Sequence, residues 1–312
     1  MNLHFNPAKQ GFRGLPISAG LPAKADAVVF GAPHGTPYAG VDNRPFETAP
    51  EAIRAGVSHF SQWLDHYDFD LGGALVETGT PPAFDAGDLA TVANGDGEAN
   101  RAMIREATAA ILARGAVPIM IGGDDSVPIP FIEGFAGRGP ICIVQVDAHI
   151  DWRKERLGER FGFSSTMRRA SEMAHVARMV QVGMRGYGSA RAWEVADARA
   201  FGSVLVTAHE VHREGIGAAL RHVPDGMACI VTLDCDGVDP TTMPAVMAPA
   251  PGGLGYTQVM DLIAGVAAKG PIAGFDIVEF VPGRDLGGLG ALTAGRLATV
   301  ALGHILKQKR AP

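Results

Sequence analysis

The chain has 312 residues, 47% of them hydrophobic and 41 of them glycine, enough for one large core with many tight turns. Its formal net charge of −6 gives no electrostatic reason to expect a nucleic-acid partner. No basic stretch leads into an apolar core at the N-terminus and no apolar run has the length of a membrane span, so a cytoplasmic setting without a membrane is expected.

The first 24 residues, rich in Gly and Pro, read as an extended N-terminal arm. A first strand follows at 26–30 and a helix at 50–63. Residues 100–114 form an amphipathic helix, with Met103, Ile104, Ala107, Ile111 and Leu112 at helical spacing. Apolar strands are expected at 117–121, 141–146, 176–182, 203–207, 227–233 and 271–277. Helical patterns lie at 190–200, 209–222, 257–269 and 290–307. Near-continuous apolar strands separated by helices indicate a parallel sheet covered on both faces. No linker or repeat divides the chain, so 1–312 reads as a single α/β domain. Cys142, Cys229 and Cys235 all lie in apolar runs and read as buried reduced thiols.

Acids collect where these strands end. Gly122-Gly123-Asp124-Asp125-Ser126, Asp147-Ala148-His149-Ile150-Asp151, Asp234-Cys235-Asp236 and Glu279 each follow an apolar run. In an open parallel sheet, ligands bind beyond the carboxyl ends of the strands. Strand alternation would turn Asp147, His149 and Asp151 one way, and Asp234 and Asp236 likewise, with Cys235 pointing away. Bare, such a cluster repels itself and must take up protons; divalent cations remove the problem. Its oxygen and nitrogen donors suit Mn, Fe, Co, Ni or Zn. Two such ions about 3.5–4 Å apart can activate a shared water near neutral pH. Glu279 could pair in bidentate fashion with a guanidinium, or simply start a surface loop.

In this order the motifs resemble the ureohydrolase superfamily: arginases, agmatinases and related guanidino-compound hydrolases. Asp234-Cys235-Asp236-Gly237-Val238-Asp239-Pro240 and Asp276-Ile277-Val278-Glu279 carry the resemblance further, as do Gly31-Ala32-Pro33 and Ala49-Pro50-Glu51-Ala52-Ile53-Arg54. The resemblance implies a three-layer α/β/α fold around a parallel sheet of about eight strands. It implies two Mn2+ (Ni2+ in some members), a small guanidino substrate, urea and an amine as products, and trimers or hexamers. By position, Asp147, His149, Asp151, Asp234 and Asp236 match five metal ligands, Asp151 also orienting the attacking water, and Glu279 matches the carboxylate that holds the guanidinium. Asp239 is expected to brace the Asp-Pro turn.

Two positions depart from the family pattern. Asp125 stands where the family has a His ligand, which would make the sixth ligand a carboxylate. The segment 161–173 lacks the family's His, and His175 is expected on a helix nearby. Arg153, Arg168 and Arg169 flank this segment; Arg168 could receive a substrate carboxylate, or all three could pair with neighbouring acids. Trp152 is a candidate pocket wall or a packing residue, and His34 and Tyr38 could reach the pocket mouth or pack the loop. The substrate is expected to be agmatine-like, a guanidino acid, or a substituted guanidine or biguanide. The missing imidazoles keep an alternative open: a non-catalytic subunit paired with a paralogous chain, as in a metformin-hydrolase-like complex.

Overall fold

The computed structural model describes residues 3–18, 20–58, 63–77, 79, 81–187 and 190–310. Eleven strands form among these: β1 Phe5–Asn6, β2 Ala27–Ala32, β3 Tyr67–Asp68, β4 Gly73–Ala74, β5 Ala83–Leu89, β6 Val117–Gly122, β7 Ile141–Val146, β8 Val176–Met184, β9 Val204–Thr207, β10 Ala228–Asp234 and β11 Ile272–Val278. The α-helices are α1 Ala49–Ser58, α2 Gly97–Ala113, α3 Pro128–Glu133, α4 Thr166–Ala170, α5 Ala192–Phe201, α6 Ala208–Glu214, α7 Gly217–Leu220, α8 Tyr256–Lys269 and α9 Leu289–Arg310.

Nine strands build one sheet in the order β1-β5-β2-β6-β11-β10-β7-β8-β9, parallel except for β1, which pairs antiparallel with β5; β3 and β4 form a separate ribbon. Burial on both faces explains the apolar runs. Cys142, Val144, Val146, Cys229, Val231 and Leu233 face one core with residues of α1, α8 and α9. Ile141, Ile143, Ile230 and Val278 face the other with residues of α2, α3 and α5. The cysteines are buried free thiols.

The expected sheet of about eight strands thus has nine; the sequence reading located seven of them and lacked β1 and, inside the sheet, β5. Its Asp85, Gly87 and Asp88 conceal it in a sequence scan. Arg54 of α1 neutralises the acids, with Nε and Nη2 donating to Asp85 at 2.7 and 3.0 Å and Nη1 donating to Asp88 at 2.6 Å. The N-terminal residues are not simply an arm: β1 extends the sheet, and Phe12 and Leu15 are buried in the core. The helix expected at 209–222 is two, because Gly215 closes α6 at φ 75°. The expected helix at 50–63 ends at Ser58, and 59–62 lie outside the described residues. α9 does have the length and apolarity of a membrane span, contrary to the sequence reading, but 78% of that window is buried inside the protein, so its apolar surface serves the core.

Candidate metal centre

β7 ends at Val146, so Asp147 to Asp151 leave the sheet as a loop. The convergence of their side chains comes from that loop and not from strand alternation. Asp151 takes φ 48°, and Glu279, just past β11, takes φ 64°. Left-handed backbone at non-glycine residues costs about 1–3 kcal/mol each and persists where the surroundings enforce it. Asp234 closes β10 and accepts the Asp236 N–H at 2.7 Å, which curls the chain into a short 3-10 turn. Asp236 Oδ1 then accepts the Ala148 N–H at 3.0 Å, joining the two acidic loops. The approach needs glycine: a Cβ on Gly237 would lie 2.7 Å from the Asp147 nitrogen. Cys235 is buried in the apolar core, as strand alternation predicts.

Two groups of ligand atoms result, each with its atoms within 4.8 Å of one another: Asp147, His149 and Asp236, and Asp125, Asp147 and Asp151. Asp147 belongs to both. His149 Nδ1 lies 3.4 Å from Asp147 and 3.1 Å from Asp236. Asp234 and Glu279 line the same cavity of about 130 Å3, with Val41, Phe46, Phe163, Ser164 and Met247 among its other walls. Glu279 Oε1 accepts the Asp125 N–H at 2.9 Å, and the Thr166 hydroxyl donates to the Asp125 carbonyl.

Burial pushes the carboxyls of Asp125, Asp147, Asp234 and Glu279 well above the usual range, and their mutual repulsion adds to it. Burial opposes charge on His149, but Asp236 and Asp151 raise it overall. Arg185 sits close by yet donates to main-chain carbonyls, those of Asp236 at 2.6 Å and Ala250 at 2.7 Å. Asp125 Oδ2 is buried without a hydrogen-bond partner. Acids held this way, with an orphaned oxygen among them, fit divalent cations.

A buried polar row runs one layer beneath. Gln145 Nε2 donates to Asp147 Oδ2 at 2.7 Å and to Asp151 Oδ2 at 2.9 Å, fixing both carboxylates. Gln181 Nε2 donates to Gln145 Oε1 at 2.6 Å, and Trp152 Nε1 to Gln181 Oε1 at 2.8 Å. Sequence reasoning passed over Gln145, although a lone amide inside Ile-Cys-Ile-Val-Gln-Val was a signal. Trp152 is therefore no cavity wall: it is 2% exposed, packs on Phe201 and anchors this network. Arg168 does not line the cavity; it donates to Asp197 at 2.8 Å and to Glu172 at 3.4 Å. Arg169 also pairs with Glu172. His175 is on no helix, since it precedes β8, where its Nε2 hydrogen-bonds the Ile132 carbonyl at 2.9 Å. Tyr38 packs the loop, its hydroxyl 2.5 Å from Ser164 Oγ, and His34 bonds Thr91. Asp239 braces its turn through the N–H groups of Thr241, Gly252 and Gly253.

The same row holds Asp276, whose Oδ1 accepts from Thr232 at 2.7 Å while Oδ2 has no partner. Burial pushes its carboxyl up to about 8. In the unfolded chain it ionises near pH ~4. Its contribution to stability is therefore full below that pH and is lost as pH rises to about 8. Asp276→Asn keeps an acceptor for Thr232 and cannot ionise. Thermal melts of the metal-loaded proteins should show the variant gaining on wild type from pH 5 to 9, by about 2 kcal/mol or more at the top. A difference that does not change with pH would refute this.

Residues 25–303 match the sequence profile of the arginase family. The N(1)-aminopropylagmatine ureohydrolase of Thermus thermophilus is 32% identical over 257 residues, covering 81% of this chain and 82% of that one. Proclavaminate amidino hydrolase from Streptomyces clavuligerus has a similar structure, with a TM-score of 0.81 at 28% identity over 95% of this chain and 96% of that one. Agmatine ureohydrolase of Thermoplasma volcanium matches with a TM-score of 0.76 at 27% identity over 93% of both chains.

Proposed function

This chain belongs to the arginase family, and from that premise we propose that it is a metal-dependent hydrolase that cleaves a C–N bond of a guanidino compound and releases urea and an amine. The observation that carries this reading is the pair of ligand groups sharing Asp147 at the cavity that Glu279 also lines. Asp125, Asp147, Asp151 and Asp234 would hold one ion, and Asp147, His149, Asp234 and Asp236 the other. Five carboxylates and one imidazole favour Mn2+, with Ni2+ second. When bound, two such ions lower the pKa of water and stabilise charge developing at the reacting carbon. Glu279 would offer its carboxylate to the guanidinium, and Asp151, whose carboxylate accepts from Gln145, would take a proton from the attacking water.

One observation favours a second reading. Among the described residues that line the cavity, His149 is the sole imidazole, so none is left to donate a proton to the leaving amine. A chain in this state could serve as one subunit of a hetero-oligomer with a paralogous chain. The test is metal content and urea release on protein grown with Mn2+, over agmatine, 4-guanidinobutyrate, 3-guanidinopropionate, arginine, guanidine and alkylated biguanides. About two ions per chain and urea from at least one compound are expected. No retained metal, or no urea from any compound, would overturn the first reading. Activity that appears only on co-expression with a paralogue would establish the second.

A further inference from the structure

The guanidinium end of a substrate finds an acid in Glu279, but the far end still lacks a recognition group. Val41, Phe46, Phe163 and Met247 provide apolar walls suited to a short carbon stem, and no Lys or Arg lines the cavity among the described residues. Asn43 lines it too and is 1% exposed. Its main-chain N–H donates to Asn94 Oδ1 at 3.0 Å, and its own Oδ1 accepts the Asn94 N–H at 2.8 Å. Only an oxygen can accept from that N–H, so the orientation of the carboxamide is fixed. Nδ2 is then the other end, and it is buried without a partner. A buried donor left unmet is destabilising unless something else satisfies it.

We propose that Asn43 Nδ2 is the donor for an oxygen acceptor at the far end of the substrate. The substrate class is then a guanidino compound ending in a carboxylate or hydroxyl, and not in an ammonium; this rests on the cavity's being the guanidino site proposed above. A terminal ammonium carries only donors and would meet Nδ2 donor to donor. The acid it would seek, Asp42 at the cavity wall, is already engaged. Arg44 Nε and Nη2 donate to Asp42 Oδ2 at 2.9 and 2.7 Å, and Asn94 Nδ2 donates to Oδ1 at 2.7 Å. Arg168, the sequence candidate for a substrate carboxylate, is turned to other acids, so Asn43 takes that role.

The test is calorimetric binding to the Mn-loaded full chain of three compounds of matched length: 4-guanidinobutyrate, (4-hydroxybutyl)guanidine and agmatine. Wild type should bind at least one of the first two about tenfold or more tightly than agmatine. Asn43→Asp keeps the acceptor for Asn94 and removes the donor; a thermal melt checks that the loop survives. It should weaken the acceptor-tailed compounds about tenfold and leave agmatine equal or tighter. A preference for the carboxylate over the alcohol would mark a guanidino acid, and equal binding a neutral acceptor. Agmatine bound as tightly as the others by wild type, an equal loss of all three in the variant, or no binding of any would overturn the assignment. Binding that follows Asn43 without urea release would sink the hydrolase reading and leave this one standing.

Discussion

Asp147→Asn is expected to leave a folded protein that holds fewer than two ions per chain and to lower kcat/KM by about 10³-fold or more. Asp147 is the residue common to both ligand groups. Each of its oxygens is already placed by a donor: Oδ1 by the His149 N–H at 2.6 Å and Oδ2 by Gln145 Nε2 at 2.7 Å. Asn is nearly the same size, but its NH2 must face one of those donors, and its oxygen carries no charge to share between two cations. The apo protein should respond in the opposite sense. Asp147 is fully buried among Asp151, Asp234 and Asp236, so removing its charge relieves desolvation and repulsion. A melt of the metal-free variant should show a higher Tm than metal-free wild type at pH 8. Loss of metal with gain of apo stability is the mark of a group kept for function. Two retained ions and activity within tenfold of wild type would contradict the bridging role.

The contrast between Asp147 and Asp85 explains what the sequence disclosed and what it hid. Both are acids in or beside a buried strand. Asp147 follows a run that is apolar except for Gln145 and has a His and a second Asp in step with it, so its strand and its chemistry were both visible. Asp85 sits inside β5, where it broke the apolar pattern, and its partner Arg54 lies on α1, distant in sequence. Salt bridges between distant residues leave no periodic trace. The same limit hid Gln145, Asn43 and the true place of Trp152, which depend on side chains that meet only in the fold. Alternation also predicted the right cluster for a partly wrong reason, since Asp151 reaches it through a loop at positive φ.

Glu279→Gln should separate substrate binding from metal binding. The variant keeps its size, and its amide oxygen can still accept the Asp125 N–H that Oε1 takes at 2.9 Å. Glu279 is outside the six residues proposed to hold the ions, so two ions per chain should remain. What is lost is a buried negative charge opposite the guanidinium. Burial, with Asp124 and Asp236 adding to it, pushes the Glu279 carboxyl well up, and cationic charge opposite it acts in the other sense. In the function proposed above, its pairing with the guanidinium holds the substrate. Cutting one member of a buried charge pair costs about 2–5 kcal/mol, or about 30- to 5,000-fold in kcat/KM. The loss should fall on KM as well as kcat, because the pair forms before the bond breaks. Calorimetry gives a second readout: Glu279→Gln should bind the guanidino compound more weakly than wild type while holding the same metal. A variant with normal metal content, normal KM and unchanged affinity would place the guanidinium elsewhere in the cavity. Glu279, with its φ of 64°, would then be only the residue that turns the chain after β11.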